Sequence, residues 1–131
     1  MSVNVGKLNK EIKKFLEEYS DEMAEVVKNT VSEVAKETNV VIKKHVRFKN
    51  VTGKYVKSFR VKKSYENKFN KRMTWYVASP EYRLSHLLEY GHKKRNNKGR
   101  TKPFMHITYG RNYVRENLEK RIKEDIEKWK S

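Results

Sequence analysis

Cysteine is absent from the chain, which excludes disulfides and thiolate metal sites. That absence suits assembly in a reducing cytoplasm. No run of about 18 apolar residues occurs, so no transmembrane helix and no membrane partner are expected. The segment Met1 to Lys14 is polar and charged, without the apolar stretch of a signal peptide. Proline and glycine are scarce, at 2 and 5 residues, and after Gly6 neither interrupts the chain before Gly53. There is no Walker loop, no dinucleotide glycine motif, no HExxH and no zinc-finger spacing. No helix-turn-helix spacing stands out. No cofactor is expected.

What is present is charge. Charged residues make up 37% and apolar residues 36%, a low apolar share for a globular domain but above that of disordered chains. The 8 Tyr, 5 Phe and 2 Trp argue for a packed core, and 131 residues suit one domain, 1–131. The net charge is +16, and its placement is uneven. Residues 1–44 hold eight basic and eight acidic side chains, and residues 114–131 hold six and five. Residues 45–113 hold eighteen basic and three acidic ones, a net +15. Such polarity points to an anionic neighbour, either nucleic acid or an acidic protein surface. A lysine-rich soluble surface is the plainer reading.

Leu8, Ile12, Phe15, Leu16, Tyr19, Met23, Val26, Val27, Thr30, Val31 and Val34 recur at three- and four-residue steps, the stripe of an amphipathic helix. Lys10, Lys14, Glu18, Glu25 and Lys28 occupy the opposite face. One helix from about Lys7 to Lys36 or beyond would span roughly 45 Å, unless Ser20-Asp21 divides it. Val40, Val41 and Ile42 suit a strand or the last helical turns, and the helix is favoured. Thr52-Gly53 signals a turn. Phe59, Val61 and Tyr65 then alternate with polar residues, with Lys63 breaking the apolar side. Met73, Trp75 and Val77 share one face of a second strand. Residues 65–72 connect the two as a hairpin.

Ser79 suits a helix N-cap, Pro80 the first helical position and Glu81 the dipole. Leu84, Leu87 and Leu88 form the apolar face of this short helix, and Gly91 stands where a left-handed C-cap belongs. Residues 93–102 carry Lys93, Lys94, Arg95, Lys98, Arg100 and Lys102 and no apolar side chain, so the loop is expected to be exposed and mobile until a partner orders it. After Pro103, Ile107, Val114, Leu118, Ile122, Ile126 and Trp129 make the stripe of a C-terminal helix, which Gly110 weakens near its start. The fold class is therefore α+β. It comprises a long N-terminal helix (1–44), a small antiparallel sheet and a short helix (45–92), the basic loop (93–102) and a C-terminal helix (103–131).

His86, Glu89 and His92 stand at three-residue steps, a spacing metal ligands can use, but on an ideal helix they do not converge. His86, His92 or His106 with Glu89 would serve a ribonuclease as acid and base. No motif places a nucleophile, base and orienting group together. Tyr55, Tyr65, Tyr76 and Tyr82 would offer stacking to a nucleic acid, although aromatics at these spacings more often fill cores.

The stretch Tyr82-Arg83-Leu84-Ser85-His86-Leu87-Leu88-Glu89-Tyr90-Gly91-His92 is followed by the basic loop and by Pro103-Phe104-Met105, and preceded by Thr52-Gly53 and Ser58-Phe59. This series, over about residues 50 to 110, resembles the head-tail joining or tail-completion proteins of long-tailed bacteriophages, a family of minor tail components. Two departures stand out. Lys54-Tyr55-Val56-Lys57 follows the Thr-Gly pair where the family usually has Leu-Arg, and the loop is unusually basic. The resemblance implies a non-enzymatic ring subunit of the neck or upper tail, sixfold or twelvefold, in the virion after assembly in the host cytoplasm. Its partners would be neighbouring neck, head-closure and tail-tube or terminator proteins, with non-specific contact to duplex DNA in the channel. Thr52, Gly53, Tyr82, Leu87, Leu88, Glu89, Gly91, Pro103 and Phe104 would then be structural: Gly91 turns the chain, Leu87, Leu88 and Phe104 pack helices onto the sheet, and Glu89 pairs with a basic residue. The alternatives are a cytoplasmic basic nucleic-acid-binding protein and a small toxin ribonuclease.

Overall fold

Val3 and Val5 alternate with Ser2 and Asn4, and this short segment forms strand β1 (Ser2–Val5). The computed structural model describes residues 1–8, 10–18, 21–48 and 53–130, with the backbone alone at 12, 15 and 16. Tyr19, Ser20 and Thr52, and the side chains of Ile12, Phe15 and Leu16, lie outside the described residues. Then follow α1 (Lys10–Glu17), α2 (Asp21–Lys44), α3 (Gly53–Lys57), β2 (Phe59–Glu66), β3 (Lys71–Val77), α4 (Tyr82–Tyr90) and α5 (Ile107–Lys130). The architecture is α+β: a long N-terminal helix, a three-stranded antiparallel sheet, a short helix and a C-terminal helix.

The sheet order is β1-β3-β2, so β3 is central and its partners come from both sides of the long helix. Val3 pairs with Trp75 and Val5 with Met73, while Phe59 pairs with Val77 and Val61 with Trp75. These residues line the face that meets the helices. On the opposite face the Thr74 hydroxyl lies 2.9 Å from both Asn4 Oδ1 and Ser64 Oγ, a polar row across all three strands.

α2 and α5 run antiparallel over the sheet. Met23, Val27, Val31, Val34 and Ala35 of α2 meet Leu118, Ile122 and Ile126 of α5 in one core cluster with Val5 and Leu8. A second cluster gathers Val3, Ile42, Tyr55, Phe59, Trp75, Val77 and Ile107. Polar links run along the helix pair. The Thr30 hydroxyl donates to Asp125 Oδ2 at 2.6 Å, and Arg121 donates to Glu37 at 2.8 Å and to Glu33 at 2.9 Å. Burial pushes the Glu37 carboxyl up, but Tyr113 and Arg121 outweigh it and hold it below the usual range.

The helices approach closely at Gly110. A Cβ there would lie 2.5 Å from Ile42 Cδ1 and 3.2 Å from Thr38 Cγ2. The glycine is a requirement of this crossing as well as a weak point of the helix. Gly110→Val is expected to cost about 1–3 kcal/mol by overpacking. The readout is a lower urea midpoint at unchanged slope. An unchanged midpoint would mean that the buried Ile42 side chain yields freely.

Several sequence expectations are corrected. The single helix from Lys7 is two helices, with α2 starting at Asp21 as the Ser20-Asp21 division allowed. Gly53 opens a helix rather than a turn into a strand. Lys28, placed on the solvent face, is only 8% exposed: its ammonium meets Glu66 at 3.1 Å and Glu25 at 3.8 Å. Together with Lys63 it holds the Glu66 carboxyl down at about 2. Trp129, counted in the α5 stripe, is exposed because the stripe's packing ends at Ile126. Tyr65 is also exposed, beyond a register irregularity between Lys63 and Tyr65. Ser79 does not cap α4. It is joined to Pro80 by a cis peptide within a turn, and the Tyr82 amide donates to the Ala78 carbonyl instead. The residue flanking α4 is Glu81, which makes no side-chain cap bond.

Candidate functional site

Lys102-Pro103-Phe104-Met105-His106 leads into α5 without a Ser, Thr, Asp or Asn to cap it, so the first amides of that helix need an acceptor from elsewhere. Glu89 supplies it. Glu89 Oε1 accepts from the backbone amides of His106 (2.9 Å) and Ile107 (2.8 Å). Oε2 accepts from the amide of Thr108 (2.9 Å) and from its hydroxyl. The carboxylate is 0% exposed, and the positive end of α5 faces it. Burial would push the carboxyl up, but the Thr108 hydroxyl and the three amides outweigh it and hold it low.

His106 extends the cluster. Its Nδ1 faces two acceptors, the Phe104 carbonyl at 2.9 Å and Glu89 Oε1 at 3.1 Å, so Nδ1 carries the proton. Nε2 accepts from the Tyr55 hydroxyl at 2.6 Å. Burial holds the imidazole below its usual pKa, against the Phe104 carbonyl and Glu89. Burial, with Glu89 and Glu81, pushes the Tyr55 hydroxyl above the usual phenol range. A Tyr-His-Glu chain has the connectivity of a proton relay, yet all three side chains are 0% exposed. Here it joins α3, α4 and the start of α5 as a polar clamp.

The clamp sets the base of the basic loop. The Phe104 amide donates to the Leu88 carbonyl at 2.6 Å, closing the segment back onto α4. The Thr101 amide donates to the His92 carbonyl at 2.8 Å, and the His92 amide donates to Thr101 Oγ1 at 2.9 Å. The Lys94 amide donates to the Gly99 carbonyl at 2.9 Å, and Lys93 bridges Arg100. The loop is thus a hairpin with its own bonds. Lys93, Lys94, Arg95, Lys98, Arg100 and Lys102 are all exposed on it. Gly91 permits the entry with φ 72° and ψ 173°, an extended positive-φ conformation rather than the expected left-handed cap. A Cβ there would sit 2.4 Å from the Thr101 carbonyl oxygen.

The remaining expected site residues separate. Gly53 is exposed at the start of α3, with open space where a Cβ would stand. Tyr82 is exposed. Leu87 and Leu88 are half-buried, and the buried face of α4 is instead Ser85 and Glu89. Leu84, Leu87, Leu88 and Phe104 line an open cleft of about 220 Å³ with His92, Thr101 and Lys102, so only part of the expected packing onto the sheet is made. Pro103 is exposed, and Phe104 lies 5.1 Å from Phe48, ring to ring. Glu89, expected to pair with a basic side chain, binds backbone amides. His86, Glu89 and His92 do not converge, since Glu89 is buried and both imidazoles are exposed. His106, the other acid–base candidate, is buried, and His45 stacks on Tyr109 at 3.7 Å. The sequence signal for the clamp was the missing cap before α5.

A sequence model of the family described as “Bacteriophage HK97-gp10, putative tail-component” matches residues 10–91, and the chain belongs to that family. It is a bacteriophage tail component. No curated protein matches, and no solved structure matches. Among the described residues no helix is long and apolar enough to cross a membrane.

Proposed function

We propose that the protein is a structural ring subunit of the neck or upper tail, acting in head-tail joining or tail completion, with six copies or, alternatively, twelve. Family membership over residues 10–91 carries the reading. The surface supports it. Tyr82, Leu84, Tyr90, Met105 and Tyr109 are exposed large apolar residues contributed by α4, the segment entering α5 and its first turn, and Leu84 lines the open cleft. The apolar cleft lined by Leu84, Leu87, Leu88 and Phe104 suits contact with another subunit. A closed ring needs head-to-tail contacts between different faces of identical chains. The antiparallel α2–α5 pair, cross-linked by Arg121 to Glu33 and Glu37, offers a stiff second face. Neighbouring neck, head-closure and tail-tube or terminator proteins would stack above and below.

The test is quantitative mass spectrometry of purified particles, counting this chain against the tail-tube protein. A fixed low count on the order of six or twelve per particle supports the ring. Absence from clean particles sinks it.

A further inference from the structure

Charge is distributed differently in space than along the chain. α2, with 24 residues, sets an axis of roughly 36 Å. One end of that axis gathers the last turn of α2, α3, the start of β2, α4, the hairpin and the first turn of α5. His45 on Tyr109, Phe48 on Phe104, Tyr55 on His106 and the Glu89 clamp tie these segments together.

Lys43 and Lys44 come from the net-neutral first third of the sequence, yet they stand at this end with Arg47, all exposed. α3 adds exposed Lys54 and Lys57, and the start of β2 adds Arg60. The hairpin adds its six cations. Across residues 43–60 and 78–106 the only carboxylates are Glu81 and the buried Glu89. Among the described residues none of these cations is in an ion pair.

The opposite end differs. Lys68 faces Asp21 at 3.5 Å, and Lys63 and Lys28 face Glu66 at 3.0 and 3.1 Å. Exposed Glu17, Glu18, Glu22 and Glu25 lie at the corner between α1 and α2. Part of the cationic middle of the sequence therefore sits among carboxylates, and the uncompensated charge is collected at one pole.

We propose that this pole grips the phosphate backbone of duplex DNA without reading bases. The proposal rests on the ring reading, in which the poles of neighbouring subunits would form a positive collar around the path of the genome. Along the hairpin DNA is favoured over an acidic protein, because residues 93–102 carry no apolar side chain, and the exposed apolar residues of α4 and the start of α5 are those assigned above to the neighbouring subunit. A protein contact needs a desolvated apolar centre, whereas phosphate contact needs only dispersed Lys and Arg.

The experiment uses the full chain and fluorescence anisotropy with two duplexes of about 20 base pairs and unrelated sequence, between about 50 and 200 mM NaCl. Four phosphate contacts predict a fall in affinity of roughly 100-fold over that range, with both duplexes bound alike. Reversing Lys93, Lys94 and Lys98 to Glu is expected to weaken binding tenfold or more. Reversing Lys13, Lys14 and Lys68 to Glu, at the same net charge, should change it less than threefold. Equal losses in the two triple variants would show an effect of net charge alone and overturn the proposal. So would a flat salt dependence, or failure to bind duplex while pole lysines crosslink to a neighbouring protein's carboxylates in particles. Pole-specific binding by a protein absent from particles would retain the pole and reject the ring.

Discussion

Glu89→Gln is expected to be among the most damaging single substitutions in this chain. The Glu89 carboxylate receives three backbone amides and a hydroxyl, and the His106 Nδ1–H lies 3.1 Å away. A glutamine of the same shape offers one oxygen, and its NH₂ must face donors whichever way it turns. Buried donors lose a charged acceptor, a loss of roughly 3–5 kcal/mol. Against the usual 5–15 kcal/mol of a whole domain this should lower the melting midpoint by at least about 10 °C.

The pH dependence has a definite sign. The folded pKa of Glu89 lies below its ordinary value of 4.5, so its contribution is present above that value and lost as pH falls through the folded pKa. His106 is also lowered, from 6.5, so its neutral form adds a loss of stability in the same direction as pH falls below 6.5. The gap between wild type and Glu89→Gln should be widest near neutral pH and shrink below pH 4.5. Urea titrations at several pH values measure it, and a gap that ignores pH would show that the carboxylate's charge is not what matters. Hydrogen exchange should locate the damage. Amides of His106, Ile107 and Thr108 should lose protection, while those near Leu118 and Ile122 keep theirs.

Gly91→Ala is the second large effect. Its backbone lies in a region that is essentially closed to other residues, at about 1–3 kcal/mol. The added Cβ meets the Thr101 carbonyl oxygen at 2.4 Å, a backbone atom that cannot swing aside. The sum should reach about 3 kcal/mol or more, with the Thr101 amide losing protection first. Two other glycines calibrate it. Gly99 has φ 95° but open space around it, so Gly99→Ala should carry the conformational cost alone. Gly53 has neither constraint and begins a helix, so Gly53→Ala should be neutral or stabilising by up to about 1 kcal/mol. Stabilities measured in any other order would contradict this account.

Those elements whose burial repeats with a helical or strand period were legible in the sequence. The stripe from Met23 to Val34, the stripe from Leu118 to Ile126 and the Trp75 face of β3 all emerge from spacing. β1 was not legible, because four residues with two valines become a strand only when β3 offers its edge. Ser79 and Pro80 satisfied every local rule for a helix start, yet a turn through the Ala78 carbonyl took the amide that a cap would have bound. Glu89 was assigned a basic side-chain partner because its actual partners are backbone amides 17 to 19 residues away, and amides leave no mark in side-chain patterns. Lys28 was misplaced for a related reason, since its carboxylate partner Glu66 lies on a strand far along the chain. The charge pole joins both failures: residue counts found the excess, and only tertiary contacts show which cations are compensated.

The sheet order has a kinetic consequence. β1 pairs with β3 across some seventy residues, with Ser2 opposite Tyr76, and α2 must be spanned before either can close. β2 and β3 are hairpin neighbours and can meet early at small entropic cost, whereas β1 waits on a long loop closure. During synthesis the first strand emerges with nothing to bond, and the α2 face remains uncovered until α5 follows. Until β3 and α5 have been made, nascent chains of this protein therefore expose an unpaired strand and an apolar helix face, an interval in which a chaperone or a sister chain has first access to both.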